Sequence, residues 1–249
     1  MSSNNVPFNI ENLNLSSIKE IYANYKEEEA KPIDLDNYLV SIETRKNMIN
    51  WLIFLCNTLN FTNQTLFRTI SIFDQYLSKI AQKEIEEMTQ NKLNLITIGC
   101  LSISTKLEEI NCNYISFLNE KVLNTPNEKI FTNKDLTEME LTILKTLKYK
   151  TIYSTPLDFI DIYLEIFSNY LGNNKSFMTP KIISNIKNTT INLLKDNIIN
   201  ENYLINKSSH FAYLFFIQAL NQLSMMNSFY FKQLKNTILI FNYQFSNIF

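Results

Sequence analysis

The chain has 249 residues, of which 45% are hydrophobic and 13% aromatic, enough apolar material for a sizeable core in one large or two smaller domains. Its formal net charge is −1, and its only arginines are Arg45 and Arg68, so it lacks the basic face with which proteins neutralise phosphates. This composition argues against nucleic acid as a direct partner.

Potential metal ligands are few and scattered. The three cysteines, Cys56, Cys100 and Cys112, have no CxxC spacing, and His210 is the only histidine, so we expect no metal site and no cofactor. Sparse cysteines fit a reducing compartment, the first residues lack a signal-peptide pattern, and no apolar run approaches roughly 18 residues. We therefore expect an intracellular chain, in the nucleus or the cytoplasm, that has no membrane partner.

The local pattern is helical throughout. Only two glycines and five prolines interrupt the chain, and alternating strand-like runs bounded by turn residues are missing, which predicts an all-α fold. After a polar start, the run LSSIKEIYANYKEEEA predicts a short leading helix that ends before Pro32. Ser16 or Ser17 is the expected N-cap.

Two amphipathic helices are predicted next, within residues 41–60 and 61–80, because each segment has apolar residues at helical spacing. Thr62 or Asn63 is the expected N-cap of the second helix. The two apolar stripes consist of Met48, Trp51, Leu52, Leu55 and Leu59, and of Leu66, Ile70, Phe73 and Leu77.

A third helix, from about Leu93 to Glu109, is apolar around nearly its whole circumference, which predicts a central position. Gly99 lies in its middle at a helix-propensity cost of about 1 kcal/mol, so we expect a neighbouring helix to approach closely there. A fourth helix follows within residues 132–148, with Thr132 or Asn133 as its N-cap.

The helical pattern restarts after Pro156 with two further amphipathic runs. The strongly apolar run SSHFAYLFFIQALNQL then predicts a second central helix. Two successive groups, each with an apolar middle helix, indicate a duplicated helical domain, although the two halves share little sequence.

Three stretches, residues 45–78, 93–110 and 131–164, resemble the cyclin box of the cyclins in order and spacing. The match combines Arg45, Trp51, Asp74 and the motifs TKLEE and EMELTIL. The leading EIYANYKEEE looks like the helix that precedes the box in mitotic A/B-type cyclins. The run YLINKSSHFAYLFFIQAL is more loosely similar to the middle of the family's second cyclin fold.

The resemblance implies tandem cyclin-fold helical domains preceded by a short N-terminal helix. The expected division is an N-terminal tail and leading helix at 1–40, the cyclin box at 41–152 and a C-terminal cyclin-like domain at 153–249. The last 27 or so residues depart from the family pattern.

The function implied by the resemblance is that of a regulatory subunit that binds and activates a cyclin-dependent Ser/Thr protein kinase. In that family the residues matching Lys106 and Glu140 lie on two helices and bond backbone groups beside the movable helix of the kinase. The apolar residues implied to pack against that helix match Ile103, Leu107, Ile110, Leu144 and Tyr149.

Two further groups of residues are assigned through the resemblance. Arg45 and Asp74 match a structural ion pair between the first two helices of the box, whose disruption would leave an uncompensated charge. Met48, Trp51 and Leu55 remain from the family's substrate-docking groove, which is otherwise degenerate here. Its departures are Thr44, Asn47, Asn50 and Phe54.

Other classes of function have weaker support. No Ser/His/Asp arrangement, phosphate-binding glycine loop or metal cluster is evident, and Glu108 and Glu109 look like an ordinary helix end, so we expect neither an enzyme nor a small-molecule substrate. The alternative that remains is a cyclin-fold scaffold or interaction subunit of a larger assembly, without kinase activation. Such a protein would not need Lys106 or Glu140 for any kinase activity.

Overall fold

The structure is a computed structural model that describes residues 15–38, 40–80, 88–110, 131–170 and 179–225. In these ranges the chain forms nine α-helices and one short 3-10 turn, and no β-strand is present, which confirms the all-α prediction. The helices are α1 (Leu15–Glu28), α2 (Ile42–Thr58), α3 (Asn63–Leu77), α4 (Gln90–Glu108), α5 (Asn133–Thr146), α6 (Pro156–Tyr170), α7 (Pro180–Asn197), α8 (Glu201–Ile205) and α9 (Ser208–Met225). None of them is long and apolar enough to cross a membrane.

The described residues fall into two compact units. The first, which we name the box unit, takes residues 30–155 and 198–207 and contains α2 to α5 and α8. The second unit contains α1, α6, α7 and α9. The division at 1–40, 41–152 and 153–249 stays a prediction, and the divergent C-terminal segment and Cys112 lie outside the described residues.

Helices α2 to α5 of the box unit begin at short hydroxyl side chains. Ser41, Thr62, Thr89 and Thr132 each accept the N–H of the residue three positions on, which satisfies one of the amides that a helix start leaves unpaired. Asp135 returns a bond to the Thr132 N–H and completes a capping box. Where a threonine and an asparagine were the candidate caps, the threonine is the cap in both cases. The prediction of Ser16 or Ser17 as the cap of α1 was wrong, because α1 already includes Leu15 and both serines lie inside it.

Helix α3 differs from the predicted amphipathic helix, because every residue from 65 to 77 is buried. Its polar side chains are paired inside the unit rather than solvated, as buried polar groups must be. Asp74 binds Arg45, Arg68 binds Glu108, and Gln75 donates to the Lys31 carbonyl at 3.0 Å. The polar residues of α3 therefore bind partners inside the unit and do not form a solvent-exposed face.

Gly99 permits the predicted close contact between two helices. A Cβ atom at this position would lie 2.9 Å from Cδ1 of Ile143 and 3.1 Å from Cγ of Met139, both on α5. Such distances are shorter than ordinary van der Waals contact, so a side chain at residue 99 would force Ile143 and Met139 to move, and its absence lets α5 lie close to α4. This crossing brings the residues of the candidate site together.

The second unit has two apolar helices in its interior, α6 and α9. Phe159 and Phe167 of α6 are completely buried, and so are Ala212 and Phe216 of α9. Helix α9 packs on both α6 and α7, as predicted for a central helix. Helix α1 covers another part of α6, where the Tyr22 ring meets the Phe159 ring edge-on at 5.6 Å.

A polar cluster joins three helices of the second unit. Glu29, which directly follows α1, accepts the Ser209 N–H at 2.6 Å near the N-terminus of α9. Lys26 donates to the Ser209 hydroxyl at 2.8 Å, and the Tyr163 hydroxyl of α6 donates to the Ser209 carbonyl at 2.8 Å. A carboxylate at a helix N-terminus is favourable because the exposed amides there carry partial positive charge.

Candidate functional site

Lys106 and Glu140 meet on the surface of the box unit. Lys106 lies in the last turn of α4, and its Nζ is 2.8 Å from Oε1 and 2.6 Å from Oε2 of Glu140 on α5. The lysine side chain is 46% exposed and the glutamate side chain only 12%. The glutamate is thus an anchored group, and the lysine beside it faces solvent.

Ser102 completes this pair and was not singled out by the sequence. Its buried hydroxyl, one turn before Lys106 on α4, donates to Oε1 of Glu140. Oε1 of Glu140 thereby accepts from two donors, whereas Oε2 accepts from one and keeps an open lone pair. The Lys106 ammonium group directs two N–H bonds at the carboxylate and has a third N–H left. The site can therefore offer one acceptor and one donor to a partner, which matches an N–H and a C=O of a polypeptide backbone.

The two glutamates after Lys106 hold the end of α4 against α3. Glu108 binds the guanidinium of Arg68, and that guanidinium also donates to the Tyr153 carbonyl at 3.2 Å. Glu109 accepts the Thr62 N–H at 2.8 Å and the Thr65 hydroxyl at the start of α3. The expectation of an ordinary solvated helix end was wrong, because each carboxylate has a partner that comes from another helix.

The apolar residues assigned through the family resemblance differ in exposure. Leu107 is 45%, Ile110 77% and Tyr149 65% exposed, so these three side chains are available to a partner. Leu144 is half-buried. Ile103 is only 6% exposed, so its main contacts are inside the unit. It can contribute to binding only by packing beneath the exposed residues.

Two more large apolar residues of the box unit are exposed. Leu141 directly follows Glu140 and is 44% exposed, and Ile152 is 55% exposed. Large apolar side chains with this exposure mark interaction sites when they occur together. The sequence around Ile152 stands out because residues 141–157 contain no Asp or Glu. This pattern does not predict that the Ile152 side chain is exposed.

Arg45 and Asp74 form an ion pair in the interior of the box unit. Nε and Nη2 of Arg45 each lie 2.8 Å from a different oxygen of Asp74. Nη1 donates to the Ile198 carbonyl at 3.0 Å, and the Tyr38 hydroxyl donates to Asp74 at 3.0 Å. Burial opposes the charged guanidinium, but the attraction of Asp74 and its hydrogen bonds outweigh that penalty and raise the pKa of Arg45.

The remaining residues of the degenerate groove are mostly internal. Leu55 is completely buried and Met48 is 7% exposed. Trp51 is half-buried and packs on a small core cluster of Ile98 and Leu136. Asn47 and Asn50 of the groove are exposed, and so is Phe54, at 59%, where the family resemblance leads one to expect a carboxylate.

The described residues contain no group of three or more His, Cys, Asp or Glu side chains that could hold a metal ion. Cys56 and Cys100 are buried thiols that form no disulfide, and burial raises the pKa of the Cys100 thiol well above its usual value. These cysteines are packing residues in the box unit.

Comparison with known proteins agrees with this architecture. The family described as "Cyclin, N-terminal domain" matches residues 20–152, which is more than half of the chain. Cyclin B2-1 of Arabidopsis thaliana is 28% identical over 153 residues, which cover 59% of this chain and 33% of that protein. The G2/mitotic-specific cyclin-4 of Saccharomyces cerevisiae is 31% identical over 116 residues, which cover 47% of this chain and 23% of that protein.

The matched relatives are longer than this chain. Cyclin D2-2 of Oryza sativa subsp. japonica is 28% identical over 153 residues, and this alignment covers only 40% of that protein. The X-ray structure of a viral cyclin from herpesvirus saimiri shares the fold, with a TM-score of 0.66 and 16% identity over 93% of both chains. With the match of the N-terminal cyclin domain, these likenesses show that the chain belongs to the cyclin family.

Proposed function

We propose that this chain is a regulatory subunit that binds and activates a cyclin-dependent Ser/Thr protein kinase by docking on its mobile helix. The observation that carries the proposal is the Lys106–Glu140 pair, which bridges α4 and α5 at the surface and keeps one donor and one acceptor for a partner. The exposed side chains of Leu107, Ile110 and Tyr149 supply apolar area on the same two helix ends.

The physical requirement on such a subunit is differential binding. A protein kinase is active only when a glutamate on its mobile helix pairs with the lysine of its ATP site. A partner that binds this arrangement more tightly than the inactive one shifts the population toward it. Moving a kinase from mostly inactive to mostly active takes about 5.5 kcal/mol of preference, which buried apolar area and charge-assisted hydrogen bonds can supply together.

The site is prepared for this role because it is held rigidly. Glu140 is fixed by Ser102 and Lys106, and the end of α4 is fixed by Glu108 and Glu109. A rigid docking surface loses little conformational entropy on binding, so more of the contact energy remains to favour the active kinase.

This proposal also covers what the chain does not do. It acts without a catalytic centre, cofactor or small-molecule substrate of its own, and it binds neither nucleic acid nor membrane. Its place is inside the cell, in the nucleus or the cytoplasm, where its kinase is. The degenerate groove of Met48, Trp51 and Leu55 does not recruit Arg-x-Leu substrates in the family's usual way, because Phe54 cannot pair with an arginine.

The test is an affinity purification from the source cells with the wild-type chain and with the variant Lys106→Ala/Glu140→Ala, followed by a phosphorylation assay on each eluate. We expect the wild type alone to retain an active cyclin-dependent kinase. Helical circular dichroism and melting must show that the variant is folded. Recovery of the same proteins by both versions, without any kinase, would instead support the scaffold alternative.

A further inference from the structure

The chain makes an unusual turn where it leaves α5. Lys148 and Tyr149 have φ angles of 52° and 61°, in the left-handed region that residues with a Cβ rarely adopt. The turn is closed by the Tyr149 N–H, which donates to the Leu144 carbonyl at 2.8 Å, and by the Lys150 N–H, which donates to the Leu147 carbonyl at 3.0 Å. It projects two lysines and the 65% exposed tyrosine between them into solvent.

Two lysines from other segments lie within electrostatic reach of this turn. Lys31 is held against α3 by the bond from Gln75 to its carbonyl, at 3.0 Å, and Lys79 follows the end of α3. Partial burial lowers the pKa of Lys79, and the positive charges of Lys148, Lys150 and Lys31 lower it further. We name the exposed residues Lys31, Lys79, Lys148 and Lys150 the lysine patch.

The lysine patch lacks counter-charges within the described part of the chain. None of its four ammonium groups has a carboxylate within ion-pair distance, and residues 141–157 contain no Asp or Glu. The contrast with other lysines is clear, because carboxylates neighbour Lys26, Lys106, Lys134 and Lys187. Among the described residues the patch is therefore a group of four ammonium charges without a carboxylate partner, on a chain whose formal net charge is −1.

We propose that the lysine patch binds an acidic segment of a partner protein, with its carboxylates on the lysines and an apolar side chain on the Tyr149 ring. The lysines are distributed over three segments of the chain, which suits several carboxylates spread along a peptide. The ring of Tyr149 and the exposed side chain of Ile152 add apolar contact area between and beside these charges.

Other anionic partners fit the patch less well. Nucleic-acid surfaces gather many cations along a stripe or face, and this chain has only 23 lysines and arginines against 24 acidic residues. A membrane-surface site needs a basic amphipathic helix, whereas the lysines here lie outside the helices. The inference goes beyond the proposed function, although the site shares Tyr149 with the proposed kinase-docking surface, and an acidic peptide tests it in the absence of any kinase.

The test is fluorescence anisotropy with a labelled peptide of alternating glutamate and leucine, titrated with the whole chain. We expect binding that weakens steeply as salt rises from about 0.05 M to about 0.5 M, because salt screens exposed charges. The variant Lys148→Glu/Lys150→Glu should bind at least roughly tenfold more weakly, since it turns attraction into repulsion. The matched control is Lys19→Glu/Lys181→Glu, which changes two exposed lysines of the second unit and should bind like wild type.

Two further variants test the site in case the charge reversal disturbs the fold of the turn. Lys31→Gln/Lys79→Gln removes charge outside the strained turn and should weaken binding severalfold. Tyr149→Asn keeps a residue that tolerates the left-handed backbone and removes only the ring, so it should also weaken binding. A glutamine version of the peptide that binds equally well would overturn the proposal, as would tighter binding of single-stranded RNA or anionic vesicles, or equal binding by the reversal and control variants.

Discussion

Arg45 and Asp74 form a two-point ion pair that water does not reach, with side-chain exposures of 0% and 4%. The remaining guanidinium nitrogen is satisfied by the Ile198 carbonyl, and Asp74 also receives the Tyr38 hydroxyl. Because every polar atom here has a partner, the pair ties α2, α3 and residue 198 into one unit. Its contribution lies in the large penalty for breaking it rather than in a large net gain.

Asp74→Ala should lower the stability of the chain strongly, because it leaves the Arg45 charge buried without its counter-ion. The expected cost is about 3 to 5 kcal/mol, which corresponds to a fall in melting temperature of about 6 to 20 °C. Thermal unfolding followed by circular dichroism measures it. Asp161→Ala is the matched control: its ion pair with Lys187 is 45% and 39% exposed, so its loss should hardly change the melt. Similar melts for the two variants would contradict the account.

Gly99→Ala should destabilise the box unit by about 1 kcal/mol, although alanine is the better helix former, because the new methyl group overlaps Cδ1 of Ile143. Ile143→Val removes that atom at a cost of about 0.5 to 1.5 kcal/mol. In the Ile143→Val background, Gly99→Ala should therefore be neutral or stabilising. Urea unfolding of the two single variants and the double variant measures the coupling, and additive effects would show that the overlap is not the cause.

Arg68→Leu should loosen both segments that the guanidinium connects, the end of α4 at Glu108 and the chain at Tyr153. Loss of these charge-assisted bonds should cost about 1 to 3 kcal/mol. Hydrogen exchange should accelerate at residues 107–110 and 150–155 more than at α2. Arg68→Lys, which retains the charge near Glu108, should show the effect mainly at 150–155. Uniform acceleration over the whole box unit would mean that Arg68 has no such local role.

Several features could be predicted from the sequence because they depend on local chemistry. Hydroxyl residues before apolar runs mark the helix starts, as at Thr62 and Thr132, and one glycine in an otherwise apolar helix marks the crossing of α4 by α5. The family resemblance directed attention to Lys106 and Glu140, and the structure places these side chains in contact.

Other features depend on tertiary contacts that no local pattern reveals. Arg68 and Glu108 are 40 positions apart, so their pairing could not be read from the spacing within either helix. Ser102 looked like one small residue among others until α5 brought Glu140 against it. The sequence of α6 likewise does not reveal that α1 packs on it, with the Tyr22 ring edge-on to the Phe159 ring.

The proposed role of Lys106 and Glu140 is kinase activation rather than stability. The measurement is the rate at which the co-purified cyclin-dependent kinase phosphorylates a substrate, alone, with the wild-type chain and with the variant Lys106→Ala/Glu140→Ala at equal concentrations.

The wild type should raise the rate, and the variant should give roughly a tenth of that rate or less. Its free energy of unfolding should fall by only about 1 to 3 kcal/mol, because the half-exposed lysine contributes little and the buried Ser102 hydroxyl loses one acceptor, so the variant remains folded. Equal activation by a folded variant would contradict the account.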